Sequence, residues 1–91
     1  MSVQLINCSR ATQGHDYTKL QQGIKKLGSW WHCIEAIWIV DTKFSTADIR
    51  DALKPHIGAK DQIFVAQLQG NWATSGLNEK CNQWLTENLA E

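Results

Sequence analysis

Small and polar residues between positions 9 and 15 have the types and spacing of a loop that binds an anion. The segment reads SRATQGH, and it lies between an apolar run and a helical pattern. Free N–H groups and the dipole at a helix N-terminus favour anions, and an arginine adds a charge-assisted contact. The candidate binding residues are Ser9, Arg10, Thr12, Gly14 and His15. A plain strand-to-helix connection uses the same residue types, and the sequence favours that interpretation.

Two pairs of adjacent residues have side chains of the types used in acid–base or metal chemistry. His15 precedes Asp16, as a general base with an orienting carboxylate would require, but neighbours in sequence rarely face each other. Asp16 is better explained as the N-cap of the following helix. His32 and Cys33 point to opposite faces if they lie in a strand, so they cannot share a metal ion locally. The sequence therefore predicts no catalytic residue, metal or cofactor.

Aromatic and sulfur-containing side chains are expected mainly in the interior. Five tryptophans among 91 residues are many, and aromatic side chains can stack on single-stranded bases. Because Lys and Arg are not interleaved with them, packing in the core or at a subunit interface is the favoured interpretation. The cysteines Cys8, Cys33 and Cys81 are odd in number and widely spaced, which predicts reduced, mostly buried thiols.

Hydrophobic periodicity divides the chain into seven elements. The predicted strands lie over 3–8, within 29–42 (two strands joined by a turn near Glu35 and Ala36) and over 61–70. The predicted helices lie over 16–27, from the capping residue Ser45 to about Pro55, and over 77–89. The resulting order is β-α-β-β-α-β-α.

This order predicts an α+β fold, a ferredoxin-like βαββαβ antiparallel sheet with an added C-terminal helix. Strands one and three are central in that plan, which fits the apolar residues on both faces of 36–41. Two helices then cover one face of the sheet. The other face must be solvated, covered by the third helix or buried against a second subunit, and its apolar residues favour the last two. We therefore expect a homodimer.

Length and charge limit the class of protein. A chain of 91 residues forms one domain, 1–91. Lys+Arg and Asp+Glu both total 9, so a formal net charge of zero gives no bulk attraction to nucleic acid. No apolar stretch approaches the roughly 20 residues of a membrane span, and the first residues lack the features of a signal peptide. These features predict a cytoplasmic protein with no membrane partner.

Short motifs along most of the chain resemble those of the small CRISPR-associated, virulence-associated-protein-D-like ferredoxin-fold family, in particular its stand-alone bacterial and phage branch. The matching steps are Gly14–Tyr17, Leu27–His32, Trp38–Val40, Thr46–Arg50 and Asp61–Val65. The resemblance implies a symmetric dimer that acts as a metal-dependent nuclease of RNA or DNA, or as a structural centre for DNA capture. In the nucleases an aspartate at the end of strand one holds a divalent metal. Here Ser9 occupies that position, and the adjacent Cys8 and Asn7 supply no carboxylate either.

Three functions follow from these observations. The sequence favours a non-catalytic homodimeric module that binds a nucleic-acid or protein partner. The enzymatic alternative is a metal-dependent endonuclease whose acidic ligands have moved, for example to Asp16, Asp41 or Asp61. The third is a regulatory partner protein of a toxin–antitoxin or phage–host pair, without nucleic-acid contact, which the neutral net charge also fits.

Overall fold

The computed structural model describes residues 1–89, which form a four-stranded antiparallel sheet and three α-helices. The elements are β1 (Ser2–Cys8), α1 (Thr18–Lys25), β2 (Gly28–Ile34), β3 (Ile37–Thr42), α2 (Thr46–Leu53), β4 (Ile63–Leu68) and α3 (Glu79–Asn88). The predicted α+β class and the predicted order of elements are confirmed. The end of the predicted range 1–91, residues 90 and 91, lies outside the described residues.

The strands lie side by side in the order β2-β3-β1-β4, and every neighbouring pair is antiparallel. Strands β1 and β3 are therefore central, which for the third strand agrees with the apolar residues on both faces of 36–41. The turn that joins β2 to β3 falls at Glu35 and Ala36, where the sequence placed it. Residues paired across two strands share a face of the sheet, so the register defines which side chains lie on each side.

Helices α1 and α2 pack on one face of the sheet, which we call the first face. Their buried leucines and isoleucines contact side chains that β1 and β3 present on this side. The buried cluster consists of Ile6, Cys8, Leu20, Ile24, Trp38, Val40, Ile49 and Leu53. These residues recur every three or four positions in the helices and at alternate positions in the strands, so the pattern that predicted the elements also forms this core.

Helix α3 packs on the opposite face, which we call the second face. Its buried residues Cys81 and Leu85, with Leu89 just beyond its end, lie against Val3, Trp31 and Ile39 of the sheet. Of the three alternatives that the sequence left for this face, cover by the third helix is therefore observed. The cover is incomplete, because Ile34 and Phe64 also lie on this face and remain exposed.

The starts of α1 and α2 differ in how well the sequence predicted them. Ser45 caps α2 as predicted, and its hydroxyl accepts a hydrogen bond from the Asp48 N–H at 3.1 Å. Helix α1 begins two residues later than predicted, with Tyr17 rather than Asp16 at the N-cap. Asp16 instead accepts bonds from both the N–H and the hydroxyl of Thr18, a local turn that precedes the helix.

The prediction that the cysteines are all reduced is wrong for two of them. Cys33 on β2 and Cys81 on α3 form a disulfide that joins positions 48 residues apart, with 6.3 Å between their Cα atoms. The cause is tertiary: strand alternation directs Cys33 to the second face, where α3 packs. Cys8 is free and buried, as predicted. Within residues 1–89 no helix is long and apolar enough to cross a bilayer.

Candidate binding site

The loop between β1 and α1 folds around the carboxylate of Asp61, which precedes β4. One oxygen of Asp61 accepts from the N–H groups of Ala11 and Thr12 at 2.7 and 3.0 Å and from the Thr12 hydroxyl at 3.1 Å. The other accepts from the Tyr17 hydroxyl and the Gly58 N–H, both at 2.7 Å. The donors that the sequence assigned to an external anion are thus partly bonded to an anion of the chain itself.

These hydrogen bonds control the titration of Asp61. Desolvation alone would raise its pKa, but the bonds donated by Tyr17, Gly58, Ala11 and Thr12 together hold the pKa well below the usual range of an aspartate. The same environment raises the pKa of the Tyr17 hydroxyl, through desolvation and through its bond to the carboxylate. Asp61 is therefore an anion at any pH near neutrality, and it is held as an acceptor rather than poised to transfer a proton.

Two glycines allow the loop to approach Asp61 closely. Gly14 has φ +79°, a left-handed conformation that other residues rarely adopt. At Gly58 a Cβ atom would collide with the side chain of Thr12. The Thr12 hydroxyl also accepts the N–H of Lys60 at 2.9 Å, so it joins the two loops. Gly14 was singled out from the sequence, whereas the requirement for a glycine at position 58 arises from a contact that the sequence alone does not show.

Ser9 and His15 make structural contacts at opposite ends of the loop. Ser9 exchanges bonds with Gln62: its N–H donates to the Gln62 carbonyl at 2.9 Å, and its hydroxyl accepts the Gln62 N–H at 2.8 Å. This pair continues the contact between β1 and β4. The Nε2 atom of His15 lies 3.0 Å from the carbonyl oxygen of His56, so this ring nitrogen contacts the segment that follows α2. Ser9 and Thr12 therefore lie near Asp61, and His15 is held by a different segment.

Arg10 is the one cation among the five predicted binding residues, and its side chain is exposed. Its guanidinium carbon lies 5.4 Å from the centre of the Tyr17 ring, a cation–π contact beside the Asp61 network. Arg10 also lines a shallow surface cavity of about 180 Å³ with Cys8, Ser9, Glu35 and Ala36. An exposed guanidinium at this edge could pair with a phosphate, although Glu35 contributes the opposite charge to the same cavity.

The carboxylates proposed as relocated metal ligands occupy different parts of the fold. Asp16 is bonded to Thr18, which lowers the pKa of Asp16. Asp41 pairs with Val3 near the start of β1, whereas Asp61 lies beyond the opposite end of that strand. In the part of the chain that the structure describes, no three His, Cys, Asp or Glu side chains come together as a metal site would require.

The other candidate residues lie on opposite faces of β2, as predicted. The ring of His32 stacks on Trp38 with 3.7 Å between centroids, and its Nε2 atom lies 2.8 Å from the Glu35 carbonyl oxygen. Cys33 bonds to Cys81 on the second face. The remaining thiol, Cys8, has a raised pKa because it is desolvated and because Asp61 is near, although Arg10 opposes this effect. Burial and this raised pKa both favour the protonated form of the Cys8 thiol near neutral pH.

The tryptophans divide between core and surface. Trp31 and Trp38 are buried, which confirms the predicted core packing for these two, and Trp30 is 42 % exposed. The Lys25 ammonium lies 4.9 Å from the centre of the Trp30 ring. Comparison with known proteins adds no assignment, since no protein-family model and no solved structure matches the chain.

Proposed function

We propose that this chain is a non-catalytic homodimeric module with a ferredoxin-like fold. The observed sheet order, taken from the other edge, is β4-β1-β3-β2, with α1 and α2 on one face. This arrangement supports the split βαβ plan with one added helix. The proposed relationship to the CRISPR-associated, virulence-associated-protein-D-like family rests on the sequence motifs. The sequence departs from that family at Ser9, which stands where the family has an aspartate and whose hydroxyl accepts a hydrogen bond from the Gln62 N–H.

The observation that carries the proposal is a row of side chains on the second face that α3 leaves uncovered. The register aligns Ile34, Ile37, Asn7 and Phe64 across all four strands, and we call them the uncovered row. Phe64 is 63 % exposed and Ile34 46 % exposed, at opposite edges of the sheet. Three of these four side chains are apolar, and the exposed apolar side chains at both ends of the row are typical of an interface. A second copy of the chain supplies the same row, so the contact is self-complementary about a twofold axis.

The oligomeric state tests this contact. We expect a dimer at micromolar concentration in sedimentation velocity. Phe64→Ser should raise the dissociation constant about tenfold or more, because it removes an exposed aromatic anchor of the interface. Phe44→Ser is the matched control, since Phe44 is also exposed, at 37 %, but lies outside the uncovered row. A wild-type monomer, or equal effects of the two substitutions, would contradict the proposed interface.

A polyanion is the partner that the charges of the described residues support. Lys19 and Lys25 on α1 are exposed, as is Lys26 just after it, and Arg10 lies in the preceding loop. Asp16 is the only acidic residue among positions 1–34. The net charge of zero therefore conceals a locally basic surface around α1. A regulatory protein partner without nucleic-acid contact remains the alternative function.

We expect this surface to bind single-stranded RNA or DNA and to leave it intact in Mg²⁺ or Mn²⁺. A divalent ion needs carboxylates in place of its hydration shell, and Ser9 offers none, while both oxygens of Asp61 are bonded to the chain. Arg10→Ala should weaken binding about threefold to tenfold and reduce the salt slope by about 1, as the loss of one phosphate contact does.

Gel-shift and cleavage assays on the same samples measure both properties. Arg50→Ala is the control, because this arginine lies on α2 and pairs with Asp51 at 3.0 Å. Metal-dependent cleavage that Asp16→Asn or Asp61→Asn abolishes in a folded protein would establish the relocated nuclease instead. The absence of binding would favour the regulatory protein partner. Ser9→Asp places a carboxylate at the position where the family has its metal-binding aspartate. This variant is therefore the one to assay for a gain of cleavage.

A cytoplasmic location is part of the same proposal. The predicted cytoplasmic location rested on the lack of a membrane span and of signal-peptide features, and the Cys33–Cys81 disulfide is unusual for that compartment. Disulfides persist mainly in oxidising compartments. The thiol state of protein isolated from its native cells, trapped by alkylation before lysis, therefore bears directly on where the chain functions.

A further inference from the structure

An apolar cavity of about 290 Å³ lies on the second face, between the sheet, α3 and the loop that follows β4. Its walls include Trp31, Ile39, Leu68, Trp72, Leu77 and Leu85. Trp31, Ile39 and Leu85 are buried and form the floor, whereas Ala73, Thr74 and Ser75 are exposed and border the opening. The volume is close to the lower end of the range for small-molecule sites.

The polar atoms of the two indoles in the wall are already satisfied within the protein. The Nε1–H of Trp31 donates to the Cys81 carbonyl at 3.1 Å, and that of Trp72 donates to the Leu89 carbonyl at 2.9 Å. The Thr74 hydroxyl donates to the side chain of Asn82. These bonds leave aromatic and aliphatic carbon as the surface that the wall offers to an occupant.

Such a surface disfavours the binding of water molecules and of charged ligands. A water molecule in a cavity needs two to four polar partners, and apolar cavities without them stay dry or accept apolar molecules. Among residues 1–89 no Lys, Arg, Asp or Glu lines this cavity, so a charged ligand would lose its hydration without gaining an ionic partner from this part of the chain. A hydroxyl on the ligand could remain at the opening, beside Ser75.

We propose that this cavity binds a small neutral molecule with an aromatic or branched aliphatic body and at most one hydroxyl group. The site is separate from the Asp61 loop and from the basic surface around α1. Its wall shares Ile34 with the uncovered row, so a ligand in the cavity lies beside the proposed dimer contact. The disulfide between Cys33 and Cys81 fixes the helix that forms one wall.

Fluorine NMR with 4-fluorophenol as the probe tests this proposal. We expect saturable broadening of the fluorine line, with a dissociation constant of about 1 mM or lower. The charged analogue 4-fluorobenzoate, which has the same fluorinated ring, should bind at least tenfold more weakly. Equal binding of the two probes, or no saturable binding of fluorophenol, would overturn the proposal.

Two substitutions at the opening locate the probe. Ala73→Trp should weaken fluorophenol binding at least tenfold by filling the opening, and Ser75→Trp should do the same if the first variant folds poorly. The matched control is Ala47→Trp, since Ala47 is also exposed and lines a different groove, between α2 and β4. Binding unchanged by both substitutions at the opening would overturn the assignment. So would binding that weakens as protein concentration rises, because a second copy would then occupy the cavity.

Discussion

Replacement of both bonded cysteines, Cys33→Ser with Cys81→Ser, is expected to lower the free energy of unfolding by about 4 kcal/mol. The disulfide closes a loop with a sequence separation of 48 residues, and cross-links of that span stabilise a domain by about that amount, chiefly by restricting the unfolded chain. The total free energy of unfolding of a small domain is only about 5–15 kcal/mol. The midpoint of thermal unfolding should therefore fall by roughly 15–30 °C.

Urea unfolding distinguishes this mechanism from a simple loss of packing. Without the cross-link the unfolded chain is more expanded and exposes more surface. The free energy of unfolding should therefore fall more steeply with urea concentration, while the midpoint moves to lower urea. Wild-type protein in a reducing agent should match the double variant. Cys8→Ala serves as the control, because Cys8 is free and its replacement should leave the effect of the reductant unchanged. Equal stability of the oxidised and reduced wild type would contradict the prediction.

The disulfide also shows what a sequence pattern does not contain. Alternation along β2 predicted that His32 and Cys33 face opposite sides, and they do. The pairing depends on where α3 crosses the second face, which is decided by packing between segments 48 residues apart. The odd number of cysteines and their wide spacing both favoured free thiols, and neither feature carries information about how α3 packs on the sheet.

Local interactions were predictable where the partners are close in sequence. Ser45 and Asp48 are three residues apart, and their hydrogen bond forms as the capping pattern predicts. At α1 the same reasoning misplaced the cap by one residue, because Asp16 bonds to Thr18 and Tyr17 takes the capping position. The hydroxyl of Tyr17 is meanwhile fixed by Asp61, a partner 44 positions away.

The candidate site shows the same difference between contacts that are local in sequence and contacts between distant segments. Residue types in the loop suggested hydrogen-bond donors for an external anion, beside the favoured interpretation of a plain connection. The sequence could not show that an internal carboxylate, Asp61, is bonded to two backbone N–H groups of this loop. Asp61 had been considered as a metal ligand, yet its contacts make it a structural link between the loop and β4.

Asp61→Asn should therefore destabilise the fold strongly, although the two side chains have nearly the same shape. An amide replaces one acceptor oxygen by a donor NH₂ group. In either orientation that group meets at least one backbone N–H, from Gly58 or from Ala11 and Thr12, and leaves it without an acceptor. We expect the midpoint of thermal unfolding at pH 7 to fall by roughly 5–15 °C.

The matched control is Asp51→Asn on α2. Asp51 is highly exposed and makes a surface ion pair with Arg50, so the same chemical change should have almost no effect there. Both proteins can be compared with the wild type by calorimetry or by circular dichroism. Equal midpoints for Asp61→Asn and Asp51→Asn would show that the network around Asp61 contributes little to stability.

The pH dependence of the Asp61→Asn effect gives an independent test. The folded state lowers the pKa of Asp61, so its contribution is complete at pH values above the ordinary aspartate pKa of about 4. That contribution is lost progressively as the pH falls from the ordinary pKa through the lowered one, because over this range the unfolded state has bound a proton while the folded state stays ionised. The stability difference between wild type and Asp61→Asn should therefore be constant near neutrality and shrink below about pH 4. A difference that does not change over this acid range would mean that the negative charge of Asp61 is not what stabilises the loop, and would contradict its role as an anion held by the N–H groups around it.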